Sequence, residues 1–241
     1  MAGSREYLKR TIFSTESRIM QVFSRIFDIA ILNIVFIIFC IPVVTIGAST
    51  TAMYSITLKM IRNEESHIIR GFLKAFKENF KQGTILGMIA TAIVIFLAID
   101  LRIIGMIEDE KLKSVQIICY MVAILVYIIF LYAFPILARF VCTTKEIFRN
   151  SFIISIVNFK WTLILIGINI PFTFMLFYSG VSMLLLFTIL IICGFSGIAL
   201  IQSFIFQKIF RRYELENMNL KKDLGEYVTE RTVLWIRKLR A

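Results

Sequence analysis

Five apolar runs divide this chain, at 26–46, 84–104, 115–138, 162–178 and 181–207. A helix needs about 20 such residues to cross a hydrocarbon core of about 30 Å, and each run meets or approaches that length. A chain of 241 residues with so much of its length in apolar runs has little left for a separate water-soluble domain. Its 59% hydrophobic content and mean hydropathy of +0.83 agree with an integral membrane helical bundle of the all-α class. Three regions follow: a basic arm over 1–25, a membrane domain over 26–207 and a basic amphipathic tail over 208–241.

The charges orient the bundle. Cytoplasmic loops of membrane proteins carry an excess of Lys and Arg. Here the arm is basic (Arg5, Lys9, Arg10, Arg18, Arg25), and so is the segment after the first run (Lys59, Arg62, Arg70, Lys74, Lys77, Lys81). A single crossing cannot place both on one side. A sixth, shorter span over 48–61 resolves the conflict. Its many small and hydroxyl residues suit a helix buried among others, where close approach and interhelical hydrogen bonds replace lipid contact. With six spans, 24 of the 27 Lys and Arg residues fall on one side, and both termini are cytoplasmic. A five-span alternative puts the N-terminal arm outside.

The two inner loops resemble each other. Each opens on a cation at the end of an apolar helix (Lys59, Arg139), continues through an amphipathic stretch, and closes on Asn-Phe-Lys, at Asn79, Phe80, Lys81 and at Asn158, Phe159, Lys160. This points to a parallel duplication with two helices per unit. In the first loop Ile68, Ile69, Phe72, Phe76 and Phe80 share one face and Arg70, Lys74, Lys77 and Lys81 another. That pattern predicts an interfacial helix with its aromatics in the bilayer and its cations on anionic lipid phosphates. The tail, with Trp235 and Ile236 beside Arg237 and Lys238, suits a membrane-surface contact as well. Within the apolar runs, Pro171 is expected to bend the fourth, and Ser179-Gly180 to form a tight hairpin between the fourth and fifth.

Several functions are disfavoured. A net charge of +11 in a soluble protein would suggest nucleic acid, but these cations flank apolar runs and no basic module interleaved with aromatics is present. The four cysteines form no Cys-x-x-Cys pair and read as small apolar residues, so neither a zinc site nor a disulfide framework is expected. No phosphate-binding Gly-rich loop, His-Glu-x-x-His or Gly-x-Ser-x-Gly occurs, and the lone His67 has no partner motif. Asp28 and Asp100 fall near opposite ends of their spans and cannot form a protease dyad. The reading is therefore non-enzymatic and without cofactor. Asn33 and Asn169 read as interhelical bridges, and Gly83 with Gly87 as a packing face.

The most specific local signal is the segment 42–51. Pro42 and Gly47 break helix regularity, and Thr45, Ser49 and Thr50 can rebond the freed backbone. It reads as a tight outer turn, with a re-entrant or docking element as the sharper alternative. Three stretches carry a family resemblance. They are Ile41-Pro42-Val43-Val44-Thr45-Ile46-Gly47-Ala48-Ser49-Thr50-Thr51-Ala52, then Arg62-Asn63-Glu64-Glu65, then Asn79-Phe80-Lys81-Gln82. With Leu32-Asn33 and Leu58-Lys59 they closely resemble the YesL-like family of bacterial membrane proteins. The likeness is strongest from about Phe23 to Leu86, weaker through Phe134-Pro135 and Ala138-Arg139-Phe140, and mainly one of hydropathy in the last third. Ser66-His67 depart from the Gly that the family often carries there.

Members are typically encoded beside carbohydrate importers of the ATP-binding-cassette (ABC) type. The resemblance thus implies an accessory or regulatory subunit in a bacterial cell membrane, partnered by permease subunits and possibly their ATPase. The contact residues expected on that reading are Pro42, Thr45, Gly47, Ser49 and Thr50 in the turn, and Arg62, Asn63, Glu64, Glu65, Asn79, Phe80 and Lys81 on the cytoplasmic side. Two other readings stand beside it. A self-contained small-molecule transporter requires a polar pathway at the midplane. A membrane assembly or signalling partner requires binding with no effect on uptake.

Overall fold

A short helix of small and hydroxyl residues lies at the centre of the fold. In α2 (Ile46–Ile61), 12 of the 16 residues are buried. Its hydroxyls bond backward along the helix, Thr50 to Ile46 O, Thr51 to Gly47 O and Thr57 to Tyr54 O, so they cost little when removed from water. The computed structural model describes residues 20, 23–64, 67–105 and 110–215. The basic arm over 1–19, Glu65 and the tail beyond Leu215 lie outside them. All regular elements among the described residues are helical.

α1 (Phe23–Cys40) runs antiparallel to α2. Arg25, near its start, donates to Met60 O (3.2 Å) and to the Asn63 side chain (2.5 Å), at the far end of α2. A 3-10 turn, Val43–Thr45, connects the two helices. α2 closes in a Schellman motif: the Asn63 amide donates to Met60 O and the Glu64 amide to Lys59 O. Asn63 takes the left-handed conformation this motif requires, with φ 55°.

α3 (Ile68–Gly105) is one helix of 38 residues, about 57 Å long. This corrects the expectation of a separate interfacial helix ahead of a span. No breaker strong enough to stop the helix occurs between Ile68 and Thr84, so it propagates. At Phe72 and Phe76 its aromatic face meets protein: Phe72 is fully buried, and the Phe39 ring lies 5.5 Å from Phe72 and 4.9 Å from Phe76, while Ile69 and Phe80 of the same face stay exposed. α2 and α3 cross at three glycines. A Cβ on Gly47 would collide with the Gly83 carbonyl oxygen and come within 2.7 Å of the Gly87 Cα. In lipid, helix association rests on such close packing, because apolar burial by itself gains little there.

α4 (Glu110–Arg139) passes through Pro135 and stops at Arg139. α5 (Thr144–Val157) starts at a capping box in which Thr143 and Glu146 satisfy each other's backbone amides. α6 (Phe159–Tyr178) follows, turned by 99°. The bend was expected at Pro171, but α6 runs unbroken through that residue and the chain turns at Asn158. There the Asn158 side chain donates to Ile154 O and to Tyr213, which stabilises the break. Ser179 is extended and joins α6 to α7 (Gly180–Ile189) in the expected tight turn.

The last apolar run does not form a straight span. A π turn over Leu190–Gly194 separates α7 from α8 (Phe195–Leu215), and the two segments differ by 72° in direction. Three helices (α1, α3, α4) are long and apolar enough to cross a bilayer, or five spans exist if each bent pair counts as one. At about 24 Å, α2 is shorter than the hydrocarbon core.

Candidate functional site

The sequence-selected residues lie at two ends of α2, not in one site. At the first end, Pro42 faces outward beside Ile41, Val43 and Val44, and Val43 is 62% exposed. The rest of the group points inward and supports this apolar tip. Thr45 donates to Phe39 O and Pro42 O (both 2.7 Å), and Ser49 donates to the same Phe39 carbonyl (3.0 Å). Gly47 is locked in the glycine crossing, and the Thr50 hydroxyl serves Ile46 O. Only Pro42 of the five presents a free outer surface.

At the other end, Arg62 folds inward with its side chain 15% exposed and pairs with the exposed Glu64 at 2.7 Å. Its Nε and Nη1 are buried and have no hydrogen-bond partner among the described residues. Asn63 is the helix-closing residue described above. Further along α3, beside the glycine crossing and so back near the first end of α2, the half-buried Asn79 donates to Ala75 O, whereas Phe80 and Lys81 are exposed. Arg70, Lys74, Lys77 and Lys81 form an exposed stripe, with Lys74 and Glu78 at 4.0 Å. At 100° per residue this stripe points away from the Phe72 and Phe76 face.

A buried polar seam, only partly foreseen, connects the helices. The Asn33 amide nitrogen donates to Leu190 O (2.9 Å) and Ile191 O (2.7 Å), and its oxygen accepts from the Ser196 amide (3.1 Å). One α1 side chain thus satisfies the backbone that the π turn frees. Tyr54 and Gln202 meet at 2.5 Å, Gln202 donates to Asn169 (3.2 Å), and Thr57 bonds Ser203 (2.8 Å). Tyr132 and Thr162 meet at 2.8 Å. Asn33 and Asn169 act as the bridges their positions suggested. Ser196, Gln202 and Ser203 were missed, although Ser196 and Ser203 stand seven residues apart, on one helix face, within an apolar run.

The seam ends at an open cleft of about 360 Å³ between α4 and α6, lined by Tyr127, Ile166, Asn169, Ile170, Thr173 and Phe174. Near the chain ends of the bundle, Arg139 pairs with Glu214 at 2.6 Å, and Lys208 lies over the Trp161 ring at 5.4 Å. The Thr143 amide and hydroxyl, with a smaller contribution from Arg149, hold the Glu146 carboxyl below its ordinary range. No cluster of His, Cys, Asp and Glu able to hold a metal ion occurs among the described residues.

The family model described as "Protein of unknown function, DUF624" matches residues 29–101, from α1 through most of α3. The "Uncharacterized protein YesL" of Bacillus subtilis (strain 168) is 26% identical over 172 residues, which cover 66% of this chain and 81% of that protein. No solved structure matches the chain significantly.

Proposed function

Because this chain is similar to the YesL-like proteins, we propose that it is an accessory or regulatory membrane subunit that docks against the helices of another membrane protein, a carbohydrate importer of the ABC type. One observation carries the docking reading. The turn at Ile41 to Val44 is apolar and outward-facing, and it is held rigid by two hydroxyls on one carbonyl and by a glycine crossing behind it. A preformed surface loses little conformational freedom on binding, so its contacts translate into affinity. The importer as partner rests on the family resemblance alone.

We read α1 and α2 as two crossings. With α3, α4 and the two bent pairs they make six, with both termini cytoplasmic. The bonds from Arg25 to Met60 and Asn63 support this, since they return the chain to the side on which α1 began. On the same reading, Glu64 and Arg70 face the cytoplasm, toward anionic lipid head groups or the ATPase, while the exposed Lys77 and Lys81 stand further along α3, toward the crossing with Gly47. The transporter alternative gains less support. The described buried polar groups of the seam bond one another and bridge helices, which leaves few to line a path.

The test is copurification. The chain, tagged at its C-terminus at native expression level, is extracted in mild detergent and its stoichiometric companions identified. Recovery of two permease chains with an ATPase is expected, and Val43→Arg, checked for an unchanged melting curve, loses them. Recovery of the protein alone, with wild-type Val43, refutes the docking reading.

A further inference from the structure

A guanidinium carries five N–H donors on three nitrogens. On Arg62, at the closed end of α2, one nitrogen is served: Nη2 pairs with Glu64 at 2.7 Å. Nε and Nη1 are buried and meet no acceptor among the described residues. Other cations gather at the same place. Lys59 lies in the last turn of α2, Arg70 in the first turn of α3, and Arg25 reaches across to Met60 O and the Asn63 side chain. Four cations thus meet where the sequence supplies two carboxylates, Glu64 and Glu65.

A buried donor without an acceptor costs stability, and more so on a charged group. An apolar side chain of similar length fills the same space without that cost, and replacing a buried ion pair by apolar groups is often neutral or stabilising. The fold alone therefore does not account for an arginine here. The backbone beneath it is fixed, because Asn63 holds φ 55° and the Asn63 and Glu64 amides close the helix. Rotation about its own side-chain bonds is enough to carry the guanidinium outward, to the surface where Glu64 stands 55% exposed. A planar group with two oxygens satisfies a guanidinium best, and Glu64 shows that a carboxylate suits this one. The surplus of cations selects an acidic partner surface. We propose that Arg62 is a latched docking residue: Glu64 holds it inward in the free protein, and an acidic segment of a partner protein draws it outward into a two-oxygen pairing with a carboxylate. The inference concerns the chemistry of one contact and does not depend on the partner being an importer.

The test uses the full-length chain in nanodiscs of neutral phosphatidylcholine. The probe is a fluorescent octaglutamate peptide, read by anisotropy at low salt against empty nanodiscs. Saturable binding is expected, and Arg62→Met weakens it about tenfold. Glu64→Gln opens the latch and tightens binding. Glu78→Gln measures general charge attraction, since it removes a similarly exposed carboxylate (60%) that pairs with Lys74. The gain from Glu64→Gln exceeds that from Glu78→Gln, and the excess disappears in the Arg62→Met background, where nothing is left to release. In SDS-titrated unfolding, Arg62→Met is at least as stable as wild type. The proposal is overturned by any of four results: no binding above empty nanodiscs, equal gains from the two carboxylate variants, an excess that persists without Arg62, or an Arg62→Met chain less stable than wild type.

Discussion

Replacing Asn33 by Leu tests whether a single α1 side chain holds the broken last span together. The substitution nearly conserves volume, so its effect is on hydrogen bonding and not on packing. Three backbone groups lose a partner: Leu190 O, Ile191 O and the Ser196 amide. Interhelical hydrogen bonds in membrane proteins average about 0.6 kcal/mol and reach about 1.7, whereas a buried group left without any partner costs about 1–3 kcal/mol. Here water is absent, but the i→i+5 pattern of the π turn still gives the Leu190 carbonyl an intrahelical donor, so the value per group falls between those limits, near about 1 kcal/mol. The three together predict a loss of about 3 kcal/mol. The assay is SDS-titrated unfolding of purified protein in lipid bicelles. Thr188→Val serves as the control, because it removes only an exposed bond to Leu184 O. The control is expected to cost under about 0.5 kcal/mol. If Asn33→Leu costs no more than the control, Asn33 does not stabilise the break, and the physical account of the seam given above is wrong.

Gly83→Leu forces α2 and α3 apart at their closest approach, where an added Cβ already lies 2.7 Å from the Ala48 Cα. A loss of at least about 2 kcal/mol is expected in the same unfolding assay, and a neutral result contradicts the crossing. Arg139→Met breaks a half-buried ion pair whose side chains are 21% and 33% exposed. After allowance for solvent screening it costs about 1 kcal/mol at low salt, and the difference from wild type shrinks as salt is added. Glu146 has a folded pKa below its ordinary 4.5. Its contribution is therefore complete above that value and is lost as pH falls through the lower folded value. Limited proteolysis between α4 and α5 should distinguish Glu146→Gln from wild type at neutral pH. The distinction should vanish on acidification, and a difference that grows there refutes the sign.

Helix-forming apolar runs, the Ser179 turn and the glycine packing face were legible because each depends on local composition. A run of about 20 apolar residues has few alternatives to a helix in lipid, since every backbone group must be satisfied internally. The bends were not legible. Pro171 was the obvious place for a kink, yet the turns fall at Asn158 and at the π turn over Leu190–Gly194. What decides them is the identity of distant partners, Tyr213 for the first and Asn33 for the second. The amphipathic face of α3 was legible as a pattern but not in its target. Periodicity reports that Phe72 and Phe76 share a side, and only packing reveals that Phe39 of α1 covers it.

The sequence alone thus determined the class of this protein, its helical content, the sidedness its charges favour and its likeness to the YesL-like proteins. Those properties follow from hydropathy and charge, which act residue by residue. Tertiary structure decided which polar residues serve the fold and which remain available. Gly47, Ser49 and Asn63 appear in one contiguous stretch with Pro42 and Glu64, yet the first three are used in a helix crossing, a turn and a cap, whereas Pro42 and Glu64 present outward surfaces. Tyr127 and Asn169 are 42 positions apart in the chain, and only the packing of α4 on α6 brings them together at the cleft. Hydrogen-bond partners are chosen in space, so which polar groups meet is invisible until the helices are assembled.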